Sequence, residues 1–87
     1  KDFEKTYRRA VVASYTFFRN LVSNFIREGQ NKGEFKGSID PEALAAVVVA
    51  TVDGLGIQLS FDRSIDPHSI TEAFGRLLYG SLTTESL

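Results

Sequence analysis

Residues 41–61, PEALAAVVVATVDGLGIQLSF, limit the fold most, because they read as a helix that is apolar almost all round. In a soluble protein such a helix must be buried on more than one side. Its length would also allow a bilayer span. Against a span stand Asp53 and Gln58 within it, the interrupting glycines, and the lack of a basic or aromatic belt at its ends. Two stripes run along it. Leu44, Val48, Thr51, Leu55 and Leu59 form one. Ala43, Val47, Ala50, Gly54, Ile57 and Phe61 form the other, rich in small residues that let a second helix approach closely. One stripe can face a neighbouring helix of the same chain. The other is left over, and points to a second copy of the chain or to helices upstream of it.

The same four residues, Ser-Ile-Asp-Pro, precede this helix at 38–41 and recur at 64–67. In each copy the aspartate suits the N-cap and the proline suits the first helical position, where its missing N–H costs nothing. An isoleucine precedes each cap, and Leu44 or Ile70 comes four positions after it, the spacing of a hydrophobic staple. The two helix starts predict helices over 41–61 and 67–82, the second ended by Gly80 and the polar tail TTESL. The residues after the two copies differ, so the repeat is shared capping and not a solenoid period.

Upstream, Val11, Tyr15, Phe18, Val22, Phe25 and Ile26 recur at helical spacing and predict a helix over about 3–32. Lys32 would place a cation in its last turn, and Gly33 tolerates the left-handed backbone that ends it. Gly29 reads as a weak point in the final turn. The short linkers, GEFKGS and SFDRS, imply antiparallel helix neighbours. The fold class expected is all-α, three helices in one domain of 87 residues. A chain of that size buries only about 60–65% of its unfolded surface, so its own core is marginal. It has no methionine, so Lys1 is no natural start, and the chain reads as the later part of something longer.

Chemistry is nearly absent. There is no cysteine, which is compatible with the cytoplasm and excludes thiolate metal sites. The single histidine, His68, falls in a helix first turn, where a solvated surface role is simplest. Gly54-Leu55-Gly56 lacks a third glycine and lies within a helix, so it is no nucleotide fingerprint. No carboxylate pair, nucleophile motif or metal set stands out, so no enzyme, cofactor or metal is expected. Net charge is −1, which argues against an unaided grip on nucleic acid, although residues 1–37 are basic and 38–87 acidic. Asp53 is the ionisable residue that needs explaining, because an unpaired carboxylate among apolar residues is expensive. An arginine of the first helix, a contact across a dimer seam or a ligand would each satisfy it. The aromatics of the first helix, with Asn20, Ser23 and Asn24 between them, describe either a small-molecule cleft or an ordinary core.

One ordered series of residues goes further. Ile26-Arg27-Glu28-Gly29, Gly33-Glu34-Phe35, Asp40-Pro41-Glu42 opening an alanine-rich helix, Asp53-Gly54-Leu55 and Gln58, then a second Asp-Pro helix start, resemble the carboxy-terminal part of tetracycline-repressor (TetR) family regulators over about residues 7–82. The resemblance implies an all-helical regulatory domain that binds a small, often hydrophobic effector. It also implies that the last two helices pair with those of a second subunit as a four-helix bundle. Operator DNA would be bound by an amino-terminal helix-turn-helix domain, which is absent from this chain.

On that reading the seam comprises Ala43, Val47, Ala50, Gly54, Ile57 and Phe61 with Ile70, Phe74 and Leu77 of the third helix. Tyr15, Phe18, Asn24, Thr51 and Gln58 are the candidate effector contacts. The expected partners are a second copy of the chain, a small hydrophobic effector and, through the absent domain, DNA; no membrane is expected. A plain helical interaction module, with no effector and no link to DNA, is the alternative.

Overall fold

The computed structural model describes residues 2–83. They form three helices, α1 (Asp2–Asn31), α2 (Pro41–Phe61) and α3 (Pro67–Leu82), with no strand among the described residues. The all-α expectation holds, and the second and third helices have the bounds read from the sequence. The first starts and stops one residue earlier than expected, so Lys32 sits just past its last turn. Helix α3 runs through Gly80 and is capped at Thr83; the rest of the TTESL tail lies outside the described residues.

Both duplicated caps work as their chemistry requires. Asp40 has an extended backbone (φ −82°, ψ 108°), and its carboxylate accepts the backbone N–H groups of Glu42 and Ala43. Asp66 repeats the geometry, accepting the N–H of His68 at 3.3 Å and the Ser69 hydroxyl at 2.6 Å. In each case the cap satisfies donors that the first helical turn would otherwise leave unpaired.

The end of α1 forms a Schellman motif. Gly33 takes the left-handed conformation (φ 76°), its N–H donating to the Gln30 carbonyl and that of Glu34 to the Gly29 carbonyl. The turn sends Phe35 back across α1, where its ring covers the Cα of Gly29 and stacks at a tilt on Phe25, 5.5 Å away. A Cβ on Gly29 would stand 2.1 Å from that ring. Gly29 is therefore the seat of Phe35, not a flaw in the helix.

Helices α1 and α2 make an antiparallel hairpin, and the core lies at its loop end. Ile26 is 1% exposed and Ala45 0%, with Ser23, Gly29 and Val48 also buried. Gln30 donates both side-chain N–H groups into the loop, to the Lys36 and Ile39 carbonyls at 2.9 Å. Arg27 bridges to Glu42 at 2.7 Å. Helix α3 returns so that its last turn meets this loop: Lys36 N–H donates to the Leu82 carbonyl, and Leu82 is buried.

The three helices lie in a single layer. Cα positions extend 50 × 34 × 13 Å, so the chain is less than half as thick as it is wide. The radius of gyration, 15.7 Å, exceeds the roughly 12 Å of a compact domain of this length. The accessible surface, 6901 Å², is about a third above the ~5,100 Å² expected of a compact monomer of this mass. The chain therefore covers α2 on one side only, not on several. By length and composition alone α2 could cross a membrane.

Candidate functional site

Away from the loop the hairpin is open. Burial falls along α1 from Ile26 to Phe18, which is half exposed, and a groove of about 550 Å³ lies between the helices there. From α1 its lining is Ala10, Val11, Ser14, Tyr15, Phe18 and Val22. These keep the three- and four-residue spacing of one helix face. From α2 come Val48, Val49, Val52 and Asp53. The volume is that of an ordinary small-molecule pocket, and the lining is mostly apolar with a few polar groups.

The polar element is a pair. The Tyr15 hydroxyl donates to Asp53 Oδ2 at 2.9 Å, joining α1 to α2 across the groove. That bond holds the phenol in its neutral form, and the adjacent carboxylate charge opposes a phenolate, so the Tyr15 pKa is raised above 10.0. Of the three partners left open for Asp53, the structure shows one on α1, and it is a tyrosine and not an arginine.

Of the five residues read as effector contacts, Tyr15 and Phe18 come together in the groove. Asn24, Thr51 and Gln58 do not line it. Asn24 accepts a bond from Arg27 at 3.4 Å on the exposed side of α1, and Thr51 turns its hydroxyl back onto the Val47 carbonyl at 2.8 Å. Gln58 is exposed, more than a turn beyond Asp53. Phe25, which shares the helical periodicity of Phe18, is 60% exposed, and Ser23 takes the buried place on that turn. Val49 and Val52 enter the groove although they belong to neither α2 stripe; that α2 is apolar all round was their only sequence signal.

The two stripes of α2 separate cleanly. Val48 is buried, and Leu44, Thr51, Leu55 and Leu59 are half-buried. On the other stripe Ala43, Val47, Ala50, Ile57 and Phe61 are exposed and Gly54 half-buried, with Ile57 56% and Phe61 86% open. On α3, Ile70 and Phe74 are half-buried and Leu77 is 70% exposed. A Cβ placed on Gly54 meets nothing within 4 Å. No group of three or more His, Cys, Asp or Glu able to hold a metal occurs among the described residues.

Compared with known proteins, no curated protein and no solved structure matches the chain. A family model does, described as the C-terminal domain of BetI-type transcriptional repressors, and it covers residues 4–82. The match takes in α2, α3 and all but the first two residues of α1, with the groove, the open stripe and both aspartate caps, so the chain belongs to the family of BetI-type transcriptional repressor C-terminal domains.

Proposed function

We propose that this chain is the ligand-responsive and homodimerising domain of a TetR-type repressor, acting in the cytoplasm on operator DNA through a helix-turn-helix domain outside these residues. The observation that carries the reading is the single layer with an unpacked stripe. So flat a layer encloses only a small core, and α2 and α3 present Val47, Ile57, Phe61 and Leu77 outward. A second copy laid on that face turns one layer into two, the minimum that buries apolar faces. The surplus surface, roughly 1,800 Å² per chain, exceeds the ~800 Å² per partner of a standard interface. Gly54, Ala43 and Ala50 let the backbones approach closely.

The small effector enters the α1–α2 groove on the opposite side of α2 from the seam. An effector that prefers one splay of α1 against α2 shifts the population of dimer arrangements, and so the spacing of the DNA-reading heads.

Gly54→Leu tests the seam. Within one chain the new side chain has open space and replaces a poor helix former, so helicity should hold or rise. Against a partner helix it clashes, and sedimentation equilibrium should show association weakened roughly tenfold or more. A dimer of unchanged affinity would remove the seam.

A further inference from the structure

The groove between α1 and α2 contains one formal charge. Asp53 lines it, and no lysine or arginine does. The rest of the wall is aliphatic, apart from the rings of Tyr15 and Phe18 and the hydroxyls of Ser14 and Tyr15. Two polar links join α1 to α2 among the described residues. Arg27–Glu42 closes the loop end, where the helices are also held by buried packing. Tyr15–Asp53 stands alone at the open end, beside the groove.

A carboxylate accepts about four hydrogen bonds, and Tyr15 supplies one. Asp53 is exposed, so the remaining sites are open to water and to a donor arriving with a ligand. A neutral donor gains the hydrogen bond only; a cationic donor gains the charge as well, and because Asp53 is exposed to water that added gain is modest. An anion meets repulsion with no compensating cation on the wall. Aromatic rings near the same carboxylate add to the preference for positive charge.

We infer that the ligand of this groove is an apolar amine, protonated at neutral pH. Its N–H donates to Asp53 beside or in place of the Tyr15 phenol, and its hydrocarbon body lies on Val48, Val49, Val52 and Phe18. This names the ligand class of the effector site and rests on that proposed reading. Because the amine competes for the carboxylate that links the helices, occupancy and the Tyr15–Asp53 bond are coupled.

The test is calorimetric titration of the full chain with three probes of one shape: phenylbutylamine, phenylbutanol and phenylbutyrate. The amine should bind roughly three- to fivefold more tightly than the alcohol, and the carboxylate most weakly. Asp53→Asn should bring the amine down to the alcohol's affinity, with circular dichroism at parent helicity showing that the variant is folded. Tyr15→Phe, which frees the carboxylate and keeps the ring, should leave the amine preference intact or enlarge it. If the alcohol matches the amine on the unaltered chain, or the preference survives Asp53→Asn, the amine assignment is overturned while effector binding in the groove stands. If none of the three binds, both fall.

Discussion

At the scale of single residues, two contacts tie one segment of the chain to another. The first is Phe35 on Gly29. A methyl group at Gly29 removes about 1 kcal/mol of helix penalty but drives into the Phe35 ring, where crowding costs typically about 1–3 kcal/mol. Gly29→Ala should therefore lose about 1 kcal/mol by thermal or urea unfolding. In a Phe35→Ala background the same change should instead gain about 1 kcal/mol, because only the propensity effect is left. A Gly29→Ala chain as stable as the parent would mean that the ring does not rest there.

The second contact is Tyr15 on Asp53. The raised Tyr15 pKa means that the bond favours the folded pairing below pH 10 and is lost as pH rises through the higher folded value. An ultraviolet phenolate titration should show one of the three tyrosines ionising late. Asp53→Asn removes the adjacent charge, so that tyrosine should ionise earlier. A titration curve unchanged by Asp53→Asn would break the link between α1 and α2 as described.

At the scale of elements, the helices start where chemistry told them to. The caps of α2 and α3 need a side-chain acceptor, a proline and an extended preceding residue, all local properties that a sequence states outright. Asp66 and Asp62 also make α3 and its entry turn sensitive to acid. Ser69 and the His68 N–H hold the Asp66 carboxyl below its usual 3.8, and the Ser64 hydroxyl and N–H do the same for Asp62. Depressed values mean stability that is complete above pH 3.8 and is lost as pH falls through the lower folded values. Circular dichroism should record a loss of helix in that acid window. Asp66→Asn, which still caps but does not titrate there, should shrink the acid-dependent part while leaving neutral helicity close to that of the parent.

At the scale of the whole molecule, the single layer sets the behaviour. If a second copy covers the α2–α3 face, folding and association are one equilibrium, and the melting temperature must climb with protein concentration. A roughly hundredfold dilution should lower it measurably, and Gly54→Leu should flatten that dependence. A melting temperature independent of concentration would show that the layer stands alone.

Most of the architecture was legible in advance because it rests on local physics. Two Asp-Pro caps, an apolar period near 3.6 and a glycine-ended first helix placed the three elements to within a residue. The surplus of apolar surface was legible too, since a small chain with an all-round apolar helix cannot cover it. Sites were less legible. Phe18 and Phe25 share one helical period, yet Phe18 lines the groove while Phe25 sits beside the Phe35 ring. Asn24, Thr51 and Gln58 looked suitable by type, but their angular positions turn them away from the groove.

By itself, then, the sequence determined the number of helices, their bounds and caps, and the existence of more apolar surface than one chain can hide. All of these depend on neighbours within about four residues or on composition. Only the tertiary structure decided that Tyr15 meets Asp53, that Gly29 seats Phe35, and that the hairpin is closed at its loop and open beyond it. Those outcomes come from the splay between α1 and α2, set by side chains far apart in sequence: periodicity fixes which way a residue points around its helix, not how far the next helix stands from it.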